Sequence, residues 1–463
     1  MQSTPSLVRV LGVSDLTWLY LVAVVNLNMI PVVAAEGFHA MWLWTAVALL
    51  FFLPQGIAVI ELADRMPGEG GLYLWTKETF GDFHGFLCGW CYWITNMFFV
   101  PALLFYVTGV TAYVGSSAAL NNSRVFFFIL TTSLLWLTIL ANIHGLAVGK
   151  WVNNAGGAGA LTIAIVLMAL AGFSANHGKP LQWENFALGN FKTLPLPTIG
   201  VMCLALVGLE LGPVMGDEIR DSRRTIPRGV IIGGILCVTI YLGSTLSLLV
   251  AVPKQEMAVV QGMMQAIDRM SSALGLGWIV LPLAILMAAS IVGSTSAWVS
   301  GSARILFVCG LDRYLPSSLG KIHSRYGSPH VALSMFGLLA SAIVALSFIG
   351  ASVKEAYLTL LDLSIALQMI SYLYLFLTMA RRAFSGEPAS RYFPTVVLRL
   401  SSLIGLAMAA FGFLMAFAPT RQIESVWAFE LKMLFTLALF LGLAGSLFFY
   451  YSRLRPHTVP VKV

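Results

Sequence analysis

Two short runs hold the residues best suited to chemistry. Asn26-Leu27-Asn28-Met29-Ile30-Pro31 sets two amides and a proline inside one apolar stretch. Val207-Gly208-Leu209-Glu210-Leu211-Gly212-Pro213 sets a carboxylate, two glycines and a proline inside another. In hydrocarbon, unpaired peptide groups are so costly that broken backbone survives only where it lines a cavity or is buried in protein. A half-helix starting near Asn28 to Ile30 would offer free N–H groups and a positive dipole end to a carboxylate. Unwound carbonyls around Ala205 to Gly208 would offer acceptors to an ammonium group, so the pair suits a small zwitterion. Pro31 and Pro213 could instead kink two continuous helices. Two breaks in corresponding positions favour the site.

Glu210 is the most informative single residue. A carboxylate at the centre of a membrane helix costs about 2.5 to 3.5 kcal/mol on insertion scales, so it marks a proton carrier or an amine partner by default. The bland alternative is a structural acid bonded to a neighbouring hydroxyl. Asp362 is a second carboxylate in an apolar run, about two turns from its end. Asn96, Ser294, Thr295 and Ser296 lie at comparable depth, where polar groups serve as ligands or as glue between helices.

The elements that must position these groups follow from composition. Of 463 residues, 58% are hydrophobic and only 10% charged, with a mean hydropathy of +0.85. Soluble domains are far more polar, and a soluble enzyme is excluded. Apolar segments recur at 14–35, 40–63, 83–114, 124–143, 152–174, 196–216, 228–252, 275–309, 329–349, 354–381, 393–418 and 427–452. At about 20 residues per span, this predicts an all-α polytopic membrane protein with twelve transmembrane helices in the lipid bilayer. The breaks fall in the first and sixth.

An even number of crossings puts both termini on one side. Of the 27 Lys and Arg residues, nineteen lie on the loops of that side, which is therefore cytoplasmic. The net charge of +7 is thus spent on topology, and no basic patch suggests nucleic acid. The stretches 175–195 and 253–274, the longest outside the spans, are too short for a core of their own. Cys88, Cys91, Cys203, Cys237 and Cys309 all fall in or beside apolar runs, which argues against disulfides and zinc. No HExxH or GxSxG motif points to an intramembrane enzyme, and no cofactor or metal is expected.

Further motifs carry a resemblance. Glu61-Leu62 with Pro67-Gly68-Glu69-Gly70-Gly71-Leu72-Tyr73-Leu74-Trp75, Phe80-Gly81 and the run Gly85 to Trp93 resembles the second and third segments of the amino acid, polyamine and organocation transporter superfamily. Gly208-Leu209-Glu210, Asp217-Glu218 and Arg224-Thr225-Ile226-Pro227-Arg228 resemble its sixth helix and following loop. Arg304, Leu311 to Pro316, His323 and Pro329 resemble its eighth helix and the loop beyond.

The resemblance implies a five-plus-five inverted-repeat fold with helices 1 and 6 unwound at mid-membrane. The first repeat would span residues 1–174, the second 175–382, and two peripheral helices with a cytoplasmic tail 383–463. It places the substrate carboxylate on Asn26, Leu27, Asn28, Met29 and Ile30, and the amine on carbonyls near Ala205, Val207 and Gly208. A gate falls on Leu204, six residues before Glu210, and an aromatic on Trp298. Sodium-dependent relatives would use Ser294 and Thr295 with carbonyls of the first segment.

Three departures stand out. Asn26-Leu27-Asn28 replaces the usual small-residue run, as in glutamate and aminobutyrate exchangers. Leu204 replaces a bulky aromatic gate. Gly159 or Ala160 stands where some proton-coupled relatives have a lysine. The loop between segments 3 and 4 carries no cysteine, so no disulfide-linked accessory subunit is expected.

The implied function is secondary active transport of an amino acid, neutral or cationic, in a plasma or bacterial inner membrane, coupled to protons through Glu210 or to a counter-substrate. Alternatives are a polyamine or glutamate/aminobutyrate-type exchanger, or a membrane sensor that binds an amino acid without carrying it.

Overall fold

Apolar runs become helices because a helix pairs its backbone groups within itself, which hydrocarbon requires. The computed structural model describes residues 11–115, 120, 123–144, 146–176, 196–258, 261–349, 352–386, 388, 390–418 and 425–454. Among these, the only β pairing is two isolated bridges, Leu11 with Ile219 and Glu69 with Met215.

The first run is split into α1 (Val13–Val24) and α2 (Met29–Ala34). The second is α3 (His39–Val47), a π-helical turn at Ala48–Phe52, and α4 (Leu53–Arg65). After a short α5 (Leu72–Phe80) come α6 (Asp82–Val114), α7 (Arg124–Ile143) and α8 (Leu146–Asn176). The sixth run is split into α9 (Leu196–Ala205) and α10 (Leu211–Val214). Next are α11 (Ser222–Ala251), α12 (Gly262–Ala273), α13 (Val280–Leu311), α14 (His330–Ser347) and α15 (Val353–Phe384). The chain ends with α16 (Thr395–Met415) and α17 (Val426–Leu454).

Among the described residues, ten helical runs are long and apolar enough to cross a membrane. Helices α1 and α9 fall short of that length because their runs are interrupted. Burial grades across the assembly: the apolar window of α6 is 83% buried and that of α17 only 17%. Helix α6 is therefore central. Exposed Trp427, Phe435 and Leu431 on α17 are the side chains expected to face lipid.

Close helix approach depends on glycine. A Cβ on Gly293 of α13 would meet the Gly156 Cα of α8 at 2.7 Å, and the Ser290 hydroxyl donates to the Gly156 carbonyl at 2.9 Å. Small residues let membrane helices pack backbone to backbone in this way.

The stretch 253–274, placed outside the spans and too short for a core of its own, contains α12. Met263, Met264, Ile267 and Met270 recur at helical spacing and are buried. Its first residue, Gly262, sits against Pro31, where a Cβ would come within 2.7 Å of the proline ring.

Candidate functional site between two interrupted helices

The first break has a local cause. Asn26 turns its amide onto its own backbone, Nδ2 donating to the Val24 carbonyl at 3.2 Å and lying 3.4 Å from that of Ala23. Such bonds compete with the helical ladder. Pro31 then removes the N–H that would bond the Leu27 carbonyl. Helix α2 restarts at Met29, whose N–H reaches the Asn26 carbonyl at 2.9 Å. Among the described residues the N–H groups of Leu27, Asn28 and Ile30 meet no acceptor.

The second break mirrors it. Helix α9 ends at Ala205, Gly208 takes φ +136°, and Glu210 opens α10. That φ favours glycine, and space demands it too: a Cβ would lie 3.0 Å from the Val24 side chain. Pro213 withholds the donor that would reach the Leu209 carbonyl. Among the described residues no donor meets the carbonyls of Leu206 and Val207.

The two breaks are tied together. Tyr241 of α11 shares its hydroxyl hydrogen between the carbonyls of Val24, at 2.6 Å, and Ala205, at 2.9 Å, while accepting the Asn26 N–H at 2.9 Å. Asn26 Nδ2 also reaches the Ala205 carbonyl at 3.2 Å. The Trp298 indole donates to the Ala23 carbonyl at 3.2 Å. Two helix C-termini therefore converge on one set of protein donors.

This changes the role expected for Ala205. Its carbonyl, read from sequence as an acceptor for a ligand, is already engaged by Tyr241 and Asn26, leaving Leu206 and Val207 as the open acceptors. Asn26 is likewise a strut between the breaks, although its Oδ1 has no partner. Trp298 has its indole N–H committed, and its ring meets Phe99 edge-on at 5.7 Å.

Glu210 is fully buried. Its Oε2 accepts from the Gly208 N–H at 3.0 Å, from Gln55 Nε2 at 3.3 Å and from the Tyr372 hydroxyl, and Gln55 also donates to Tyr372 at 2.7 Å. Its Oε1 makes no hydrogen bond of standard geometry, and the hydroxyls of Tyr92 and Tyr20 both lie close enough to the carboxylate to interact with it. One oxygen thus anchors the turn, while the other has only the Tyr92 and Tyr20 hydroxyls near it.

The remaining predicted residues are all buried, each at most 2% exposed for Leu27, Asn28, Met29, Ile30, Asn96, Leu204 and Val207. Asn28 donates to the Tyr357 hydroxyl at 3.1 Å and keeps a free Oδ1. Asn96 donates to the Tyr92 carbonyl on its own helix, again with a free Oδ1. Thr295 donates its hydroxyl to the Ile291 carbonyl, which leaves its oxygen lone pairs free, and the Ser294 hydroxyl has no hydrogen-bond partner. Asp362, which could have been wetted, is 6% exposed with an unpartnered Oδ2.

Sequence reasoning missed Tyr241, Gln55, Tyr372 and Tyr357. Gln55 had a usable signal: it sits within an apolar run, the feature that exposed Asn26 and Glu210. The tyrosines had none, because a tyrosine in an apolar helix fits simple packing equally well. A separate cavity of 390 Å³ lies towards the basic loops, lined by Met66, Trp75, Pro213, Asp217, Ile219 and Arg223. None of the predicted site residues lines it.

Comparison with known proteins places these features in context. A family profile described as "Amino acid permease" matches residues 11–443. An uncharacterized transporter of Legionella pneumophila is 27% identical over 443 residues, covering 93% of this chain and 95% of the relative. A probable agmatine/putrescine antiporter of Lactococcus lactis is 25% identical over 355 residues, covering 74% and 73%. A glutamate/gamma-aminobutyrate antiporter of the same species is 22% identical over 406 residues, covering 85% and 80%.

Proposed function

Because this chain belongs to the amino acid permease family of the amino acid, polyamine and organocation superfamily, we propose that it is a secondary transporter of an amino acid or related amine. It is an integral, multi-pass membrane protein. In this reading, the ten long spans and the two interrupted runs make twelve crossings, residues 1–174 and 175–382 are inverted repeats, and 383–463 is peripheral. Both termini are cytoplasmic, in a plasma or inner membrane, on the basic-residue asymmetry.

The observation that carries the proposal is the joined pair of breaks. Free N–H groups at Leu27, Asn28 and Ile30 suit a carboxylate, and free carbonyls at Leu206 and Val207 suit an ammonium group. Met29, Gly208, Leu204, Asn96 and Trp298 complete the surroundings. In this reading, these buried groups form a site closed to both sides, which opens to one side at a time.

Glu210 favours a neutral or cationic substrate. No Lys or Arg stands in either break, so a second carboxylate on the substrate would lack a strong partner. Relatives named for agmatine and putrescine on one hand, and glutamate and aminobutyrate on the other, are both antiporters by name. Exchange is therefore kept beside proton coupling through Glu210. Sodium at Ser294 and Thr295 is kept as a further option, since the Thr295 oxygen retains its lone pairs while donating to Ile291 and the Ser294 hydroxyl has no partner. A non-transporting sensor would bind the same ligands without moving them.

A thermal-shift series on purified protein against the common amino acids, agmatine and putrescine tests the substrate class, because a ligand of the folded state raises its apparent stability. Uptake of the hits into proteoliposomes then separates carrier from sensor. No shift with any compound would remove the support for this substrate class.

A further inference from the structure

Three elements meet in a buried charged cluster at the end that carries the basic loops, and the break chemistry makes no use of it. Arg304 of α13 donates Nη2 to Glu218 Oε1 at 2.9 Å and Nη1 to the Ser300 carbonyl and hydroxyl at 2.8 and 2.5 Å. Glu69, from the loop after α4, brings Oε1 to 3.6 Å from Arg304 Nε. That is an ionic contact without a hydrogen bond. The other Glu69 oxygen accepts the Asp217 N–H at 3.1 Å. Side chains of Arg304, Glu69 and Glu218 are 6%, 9% and 1% exposed.

The charge count does not balance. One guanidinium faces Glu218 and Glu69, with the Asp217 carboxylate close enough to act on Glu69 as well. Glu69 Oε1, Glu218 Oε2 and Arg304 Nε all lack hydrogen-bond partners. A buried excess of negative charge is resolved most cheaply by protonating one carboxylate. Glu218 holds the direct bond to Arg304, so the proton falls to Glu69. Burial first, then the Glu218 charge, push the Glu69 carboxyl up to about 8, against the lowering pull of Arg304 and of the Asp217 N–H.

The surrounding backbone explains why these groups cannot spread apart while the elements stay together. A Cβ on Gly216 would lie 2.3 Å from the Gly68 carbonyl oxygen, and one on Gly71 would lie 3.0 Å from the Val214 nitrogen. The Gly70 N–H bonds the Val214 carbonyl at 3.1 Å. The loop after α4 is thus locked onto the segment following α10, with α13 behind both. The nearby Lys77 and Asp312 pair with each other at 2.5 Å and do not neutralise Glu69.

We propose that Glu69 is a proton-binding site built into the cytoplasmic closure, taking up a proton when the α4–α5 loop, the segment after α10 and α13 come together and releasing it when they separate. The closure rests on the transporter reading, and its cytoplasmic side on the orientation proposed from the basic loops. It makes the proton a regulator of opening, distinct from any proton carried through Glu210. Raising the cytoplasmic pH through 8 then loosens the cluster.

Infrared titration of the full-length protein tests this independently of transport. The parent should show a protonated-carboxyl C=O band that disappears with a midpoint near pH 8. Glu69→Gln should lose that band. Glu218→Gln should keep it but move its midpoint down, since Glu69 then has Arg304 to itself. A band titrating near pH 8 that persists in Glu69→Gln, or no band titrating there in the parent, would overturn the proposal. So would loss of the band in Glu218→Gln, which would put the proton on the other carboxylate. Glu69→Asp, retaining a titrating band, distinguishes lost chemistry from a disturbed fold. If the band behaves as expected and no amino acid or amine is transported, the proton site stands and the transporter reading falls.

Discussion

The Tyr241 hydroxyl donates to the Ala205 carbonyl at 2.9 Å and thereby pins the end of one interrupted helix to the end of the other. The residues are 36 apart in sequence and come from different spans. Tyr241→Phe removes the donor but keeps the ring, which stacks on Trp44 at 4.3 Å. Two carbonyls and the Asn26 N–H then lose a partner. The expected loss is about 1 to 2 kcal/mol, read as a lower unfolding midpoint in detergent. An unchanged midpoint would mean that the hydroxyl does not hold the breaks together.

Glu210→Gln keeps the volume and an oxygen able to accept the Gly208 N–H, but it cannot titrate. The pH profile of transport should flatten while the unfolding midpoint moves little. If the variant and the parent share one profile, the transported proton is carried elsewhere.

Gly212 sits directly against Tyr20. A Cβ there would lie 2.2 Å from the Tyr20 hydroxyl, so Gly212→Ala should cost about 1 to 3 kcal/mol by overpacking. Tyr20→Phe removes the clashing oxygen, and the double variant should recover part of that loss. Strict additivity in the four-member cycle would show that the two residues do not touch.

Stability should also carry the Glu69 signature. A carboxyl raised from 4.5 to about 8 binds its proton more tightly in the folded state. Its stabilising contribution is therefore complete below about pH 4.5 and is lost as pH rises through 8. The difference in melting temperature between parent and Glu69→Gln should drift against the parent across that window and level off above it. A flat difference from pH 5 to 9 contradicts the shift.

Much was legible without coordinates, for identifiable reasons. Hydrophobic runs must be helical in lipid, so Asp82–Val114 and its neighbours were visible as segments. Proline lacks an N–H wherever it stands, so Pro31 and Pro213 flagged the two interruptions, and an acid or amide among leucines declares itself by cost alone. These are local properties, decided by residue type and immediate neighbours.

What required the folded chain were the partners. Nothing near Asn26 in sequence says that its amide would cross to Ala205, 179 residues away. Nothing near Glu210 announces Gln55 and Tyr372, or reveals that Arg304 would be asked to serve two carboxylates. A hydrogen bond depends on position to within a few tenths of an ångström, and in this chain position comes from glycine-mediated helix crossings such as Gly156 on Gly293. Those crossings exist only once distant spans have packed.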